Sequence, residues 1–319
     1  MELIAGDIGG TKSWLAWATG EAEGTLQLRF ERIYASADFV SAEALLRQFI
    51  ADAGLGVPPD RLALALPGPL HARQVRVTNL DWTVDADTLQ ASLGLDEVLF
   101  INDFQAAAAG VATLTAADLV ALNPQPAEPA GVRAITGAGT GLGLAFMLAD
   151  GTGCYRTFAA EGGHIDFAPA GAVQTRLLEG LRREYGHVSW ERVVSGSAMN
   201  DLYRFCRVER GLPLPDAPTD GARLVAEAGA GDGAAEAALD LFIDLYLYIA
   251  GGVSMHLRSR MQSARFMEAA IDKGRMRNVV EQTPIFLVTS SRLGVAGALA
   301  QGQSAAAFQS KSIPTRSRI

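Results

Sequence analysis

The chain has 319 residues, 49% of them hydrophobic, enough to bury a sizeable core and to build about two domains. Its 27 Lys and Arg against 35 Asp and Glu give a net charge of −8, which speaks against nucleic acid, whose phosphates call for clustered cations. With Cys154 and Cys206 outside any disulfide or metal spacing, no apolar run of membrane-spanning length and no signal peptide, a cytoplasmic chain with no membrane partner is expected.

Strand patterns open the chain at 3–8, 13–18 and 26–34. A helix follows over 41–53, with Ser41 as N-cap and Gly54 as stop. Strands are predicted at 61–66 and 74–78, a short helix near 85–93, and the strand EVLFIN at 97–102. The Ala-rich stretch 104–114 reads as helix, and the Pro-rich NPQPAEPAG at 123–131 as a loop or boundary. The second half then begins as the first does. VRAITGAGTGLGLAFMLADG is again an apolar strand, a glycine-rich tip and an apolar return strand, a weak internal repeat. Helices are predicted at 173–185, 198–210, 224–227 and 234–244, then a strand LYLYIAGG leading to a helix, the strand TPIFLVT and the helix GVAGALAQ. The polar end SAAAFQSKSIPTRSRI is expected to fray.

Chemistry-bearing residues gather where the apolar runs stop. The opening run breaks at Gly6, Asp7, Ile8, Gly9, Gly10 and Thr11. The glycines let backbone N–H groups face a ligand, Thr11 adds a hydroxyl, and the Asp7 carboxylate suits a phosphate site when Mg2+ lies between them. A plain glycine-rich β-turn accounts for the same residues. The tip TGAGTGLG repeats the device with Thr136, Gly137, Gly139, Thr140 and Gly141. It is neither a Walker loop nor G-x-G-x-x-G. Two such tips can grip one polyphosphate from both sides.

In FINDFQAAAAG, Asn102 and Asp103 fall where a strand ends and a helix begins. Either could be the N-cap. Alternatively Asp103, at the carboxyl end of a strand, takes the proton from a hydroxyl attacking phosphorus. In AAEGGHIDFAP, Glu161 and His164 flank two glycines and can reach one small ligand, or form a surface turn with a structural histidine. Glu191, in SWERVVSGS, is open between ligand, cap and salt bridge. Carboxylates and amides in such a set suit a polyhydroxylated ligand, because they satisfy vicinal hydroxyls in pairs.

With GDIGGT, ALPGP, TNLDW, FINDF, GAGTGLG, EGGHIDFAP and ERVVSG in this order, the chain resembles the bacterial glucokinase family, of the sugar kinase, Hsp70 and actin-like ATPase fold group. The motifs cover nearly all of the chain. The resemblance implies a two-domain α/β fold, actin-like ATPase or ribonuclease H-like, with the ligand cleft between domains. The small domain would span 1–110, with a C-terminal helix at 294–302 returning to it; the large domain would span 111–293, and 303–319 would be a flexible tail. It implies ATP-dependent phosphorylation of glucose at its 6-hydroxyl with Mg2+, in a homodimer. Gly6, Asp7, Ile8, Gly9, Gly10 and Thr11 would contact the phosphates, as would Gly137, Gly139, Thr140 and Gly141, with Asp7 acting indirectly on Mg2+. Asp103 would be the general base, and Asn79, Asn102, Asp103, Glu161, His164 and Glu191 would hold the sugar. IAGGV at 249–253 would seat adenosine against Gly251 and Gly252. Repressor–kinase relatives that share DIGGTK usually carry a Cys-rich zinc motif after Glu-Gly-His. This chain has no cysteine there, although Lys12 resembles them.

One region departs from the family. AALDLFIDLYLYIAGG runs from a helical into a strand pattern without Gly, Pro or Asn at 243–247, where a reversal normally needs about 2 to 6 connecting residues. The family's helix runs several turns further and leaves through a Gly-containing loop. Here the turn at Asp240–Asp244 is expected to unwind, or the strand to shift and draw Gly251 and Gly252 away from the nucleotide. Both weaken ATP binding and spare the sugar residues. The alternative reading is a non-catalytic sugar-binding protein of the same fold. An ATPase or chaperone of that fold group would leave Glu-Gly-Gly-His without a role.

Overall fold

The structure, a computed structural model, describes residues 1–21, 24–68, 70, 73–77, 80–246 and 257–304. The chain begins with β1 (Glu2–Ile8), β2 (Lys12–Thr19), β3 (Gln27–Ala35), α1 (Ala42–Asp52), β4 (Arg61–Leu66) and β5 (Gln74–Arg76). β6 (Thr83–Asp85), α2 (Ala86–Leu93), β7 (Glu97–Asn102) and α3 (Asp103–Gly110) follow. Then come β8 (Leu119–Asn123), β9 (Arg133–Ala138), β10 (Leu142–Ala149), β11 (Tyr155–Ala160), α4 (Gly171–Tyr185) and α5 (Ala198–Glu209). The remaining elements are α6 (Gly221–Gly229), α7 (Gly233–Tyr246), α8 (Arg258–Met261), α9 (Ala264–Ile271), α10 (Arg277–Gln282), β12 (Ile285–Val288) and α11 (Leu293–Gln303). They divide into two compact units. One holds Met1–Leu114, Tyr155–Phe158 and the described residues from Ser290 on; the other holds Thr115–Cys154 and Ala159–Thr289.

The first unit is built on a five-stranded sheet in the order β3-β2-β1-β4-β7. β1 is antiparallel to β2 and parallel to β4, and β4 is parallel to β7. Both faces of β1 and β4 are covered, which is why their sequences are nearly continuous apolar runs. Ile4, Ile8, Leu62 and Leu64 pack with Leu45, Leu46 and Phe49 of α1 and Leu89 of α2. On the opposite face Leu3, Ala5, Ala63 and Ala65 meet Ala106 of α3 and Ala298 of α11. The two-residue alternation along β1 therefore turns Gly6 toward the first core and Asp7 toward α11. Ser41 caps α1, accepting from the Ala44 N–H, and Asp85 caps α2, accepting from Thr88.

In the second unit β9 and β10 form an antiparallel hairpin, and β12 pairs antiparallel with β8. Leu177, Leu202, Phe242, Phe266 and Leu287 lie in one core with the helices around them.

Several elements differ from expectation. The helix expected over 104–114 is α3, which ends at Gly110 and continues as a 3-10 turn over Val111–Thr113. β8 and β11 are strands with no counterpart among the predicted elements. The strand expected from Leu245 onward is corrected at its start, because Leu245 and Tyr246 close the helix α7. The expected unwinding of Asp240–Asp244 is corrected too. Leu241, Phe242, Ile243 and Leu245 are all buried on that helix. Its carboxylates are engaged as well: Asp240 takes Arg260 at 2.9 Å and Arg265 at 2.8 Å, and Asp244 takes Arg265 at 2.6 Å. The rest of that expected strand, Gly251, Gly252, Asn79 and the tail from 305 lie outside the described residues. No helix among the described residues is long and apolar enough to cross a membrane.

Candidate active site

β1, β4 and β7 run parallel, so their carboxyl ends share one edge of the first unit's sheet, where α/β folds place their chemistry. At that edge β1 ends in the turn Gly9-Gly10-Thr11, where Gly9 N–H donates to the Lys12 carbonyl at 3.1 Å. Ser36, directly after β3, donates its hydroxyl to the Gly9 carbonyl at 2.7 Å and its N–H to the Thr11 carbonyl at 3.1 Å. Among the described residues no acceptor faces the N–H of Gly10 or Thr11. Backbone donors left open on a tight turn make an anion-binding concavity.

Gly6 does not lie at that tip. It sits inside β1, paired with Leu15 and Leu64, and a Cβ there would strike both side chains. Packing accounts for this glycine, and Ile8 next to the turn is likewise core, at 1% exposure. Asp7 faces the first turn of α11, where a Cβ on Gly294 would meet its carboxylate. Burial pushes its pKa from 3.8 up to about 6, against the opposing pull of Lys12.

β7 delivers Asn102 and Asp103 to the same edge. Asn102 is the N-cap of α3: its Oδ1 accepts from the N–H of Phe104 and of Gln105, both at 3.1 Å. That leaves its Nδ2 as the group to face a ligand. Asp103 is half-buried on the first turn of α3, and its Oδ1 accepts from Phe104 N–H at 2.9 Å. Gln105 donates to the Thr157 carbonyl at 3.0 Å and ties α3 to β11.

The second unit gathers the remaining candidates around the β9–β10 tip. Gly137 lies within β9, opposite Gly143, while Gly139, Thr140 and Gly141 form the turn. Glu191 leans on that turn: its Oε2 accepts the Leu142 N–H at 2.8 Å, and a Cβ on Gly141 would strike the same oxygen. The backbone of Glu191 is fixed by its N–H, which donates to Gly163 at 2.8 Å, and by Trp190 packed edge-on against Phe167 at 5.0 Å. Gly163 sits in the 3-10 turn Gly162–His164, which follows Glu161. His164 and Glu161 are exposed and 3.7 Å apart. One rim of this unit thus carries an open glycine turn beside two carboxylates and an imidazole.

Residues to which sequence reasoning gave no role hold both turns. Ser36 clamps the first. At the second, Gly196 N–H donates to the Gly139 carbonyl at 2.7 Å, and the Ser197 hydroxyl to Thr140 at 3.3 Å. The only sequence signal is a small polar residue beside a strand end, or just ahead of α5 in the case of VVSGS. Among the described residues no cluster of His, Cys, Asp and Glu could hold a metal ion by itself.

Comparison with known proteins shows what the chain is similar to. A family model described as Glucokinase matches residues 4–305. The glucokinase of Synechocystis sp. is 34% identical over 343 residues, covering 93% of this chain and 97% of that protein. The crystal structure of glucokinase from an Antarctic psychrotroph has a TM-score of 0.78 at 28% identity, covering 94% of this chain and 98% of that one. A ROK family glucokinase from Streptomyces griseus, solved in complex with glucose and AMPPNP, is alike in fold, with a TM-score of 0.60 at 19% identity over 95% of this chain and 99% of that one.

Proposed function

The chain belongs to the glucokinase family, and on that premise we propose which of its residues carry the ATP-dependent phosphorylation of glucose. Its α/β architecture is that of the actin-like ATPase fold group. The observation that carries the proposal is the place of Asp103, on the first turn of α3 at the carboxyl end of a parallel strand.

Asp103 is the general base. As the glucose 6-hydroxyl oxygen bonds to the γ-phosphorus, its O–H bond breaks and the proton passes to the Asp103 carboxylate. The bond to ADP breaks, and the leaving oxygen keeps the electron pair. Asn102 offers a sugar hydroxyl its Nδ2, because its Oδ1 is committed to the cap. Glu191 offers Oε1, because Oε2 holds Leu142. Glu161 and His164 complete the sugar set, with Asn79 added from the family resemblance. Gly10, Thr11, Thr140 and Gly141 present N–H groups to the phosphates, while Gly9 and Gly139 shape the two turns with N–H groups that donate to Lys12 and Gly141. Gly6, Ile8 and Gly137 support these turns from within their strands, and Gly251 and Gly252 are assigned to adenosine on the resemblance alone.

Mg2+ fits this donor set. An octahedral ion bound through phosphate oxygens and water needs only one or two protein carboxylates, and the burial of Asp7 favours a cation beside it. Bound there through water, the ion would neutralise phosphate charge. We further propose a cytoplasmic homodimer, which sedimentation velocity would test. The non-catalytic alternative is not favoured, since the relatives matched over most of the chain are glucokinases and α7 stays helical through Asp240–Asp244.

A coupled assay of ADP formation tests the proposal. ADP should appear only with glucose and Mg2+ present. Glucose binding without ADP release, or ATP hydrolysis indifferent to sugar, would contradict it.

A further inference from the structure

We infer that Ser36 and Ser197 are positioning residues for ATP, Ser36 taking two carbonyls of the first glycine turn and Ser197 one of the second, so that the turns' N–H groups face outward. The inference rests on reading both turns as phosphate sites. At the first turn the single hydroxyl hydrogen of Ser36 goes to the Gly9 carbonyl at 2.7 Å. Ser13, whose Oγ lies 2.9 Å from Ser36 Oγ, must therefore donate to it. Both serines are fully buried, at 0% exposure. Ser36 N–H takes the Thr11 carbonyl at 3.1 Å.

A trans peptide is planar, with its C=O and the following N–H pointing in opposite directions. Drawing the Gly9 carbonyl toward Ser36 therefore turns Gly10 N–H away from the protein interior. A two-residue turn would ordinarily return the Gly9 carbonyl to the N–H of Lys12. Ser36 occupies that carbonyl instead, and the turn stays open.

The second turn repeats the arrangement with residues from an unrelated part of the chain. Gly196 N–H takes the Gly139 carbonyl at 2.7 Å and the Ser197 hydroxyl takes that of Thr140 at 3.3 Å. By the same planarity, the N–H groups of Thr140 and Gly141 point away from that clamp. Behind Ser197 stands Ser195, also at 0% exposure, with its Oγ 2.8 Å from that of Ser197 and accepting Ala198 N–H at 3.1 Å. Ser195 thus backs Ser197 as Ser13 backs Ser36. In each turn a buried hydroxyl orients an outer one, and the outer one takes a turn carbonyl.

The test compares KM for ATP with KM for glucose, alongside melting temperature, in four variants. Ser36→Ala should raise KM for ATP about tenfold and Ser197→Ala roughly threefold, each with KM for glucose within about twofold of the parent. Leu89→Ala, which thins the core of the first unit from α2, is the control for lost stability and should move neither KM. Gly10→Pro deletes one turn N–H without touching the clamps and should raise KM for ATP. If Gly10→Pro does so and both serine variants do not, the inference is overturned and the phosphate reading stands. If Gly10→Pro leaves KM for ATP unchanged, the phosphate reading falls and takes the inference with it. A parallel rise in both KM values in the serine variants would make the serines merely structural and also overturn it. Should Ser36→Ala fail to fold, Ser197→Ala, at an exposed position, decides alone.

Discussion

Asp7, proposed above to face Mg2+, is a buried carboxylate whose charge opposes stability. Its folded pKa stands near 6 against an ordinary 3.8. The folded state therefore holds the proton more tightly, and the favourable contribution present below about pH 4 is lost as pH rises through 6. The swing amounts to at most ~3 kcal/mol. Asp7→Asn in magnesium-free buffer should raise the melting temperature at pH 7.5 but not at pH 4, as scanning calorimetry at the two values would show. In the proposed site Glu191 divides two roles between its two oxygens, Oε2 holding Leu142 N–H and Oε1 facing the sugar. Glu191→Ala strands the Leu142 N–H and should lose about 1–3 kcal/mol of stability as well as glucose affinity. Glu191→Gln keeps an acceptor for that N–H, so it should melt like the parent while glucose affinity falls; thermal melts paired with glucose titration would separate the two. Among single residues, the sequence made Asn102 and Asp103 visible as a pair at a strand–helix junction. Only the structure divides them, because a cap hydrogen bond to Phe104 and Gln105 depends on rotamer rather than on residue type.

At the level of elements, α11 and α3 meet through small residues. A Cβ on Gly297 would overlap the Ala106 carbonyl, and one on Gly110 the Leu293 carbonyl. Gly297→Ala should therefore cost about 1–3 kcal/mol through overpacking, read from a denaturation midpoint, despite the higher helix propensity of alanine. Elements with strong burial were legible. EVLFIN forms β7 at the expected residues, and Ser41 and Asp85 cap their helices. β8 and β11 were not legible, because LVALN and YRTFAA are largely half-buried or exposed and carry little apolar alternation. The run through Leu245 misled for the opposite reason. An apolar stretch buried all round fits helix and strand alike, and with no Gly, Pro or Asn to stop it the helix continues to Tyr246.

At the level of the molecule, each unit has its own core, one around Phe49 and Leu64, the other around Phe242 and Phe266. The proposed residues divide between the units as well. Gly9–Thr11, Asn102 and Asp103 belong to the first; Gly139–Gly141, Glu161, His164 and Glu191 belong to the second. Ordered motifs spread along the chain made the fold group legible, because most of them, such as GDIGGT, FINDF and GAGTGLG, mark a strand end rather than a whole element. The clamps behind the turns stayed hidden, because Ser36 and Ser197 act across sequence distance and carry no motif of their own. The most direct measurement is glucose-dependent ADP formation by Asp103→Asn, with glucose affinity measured calorimetrically on the same sample. Turnover should fall at least about a hundredfold while glucose binds about as tightly as to the parent chain. Near-normal turnover in that variant would contradict the assignment of Asp103 as the base.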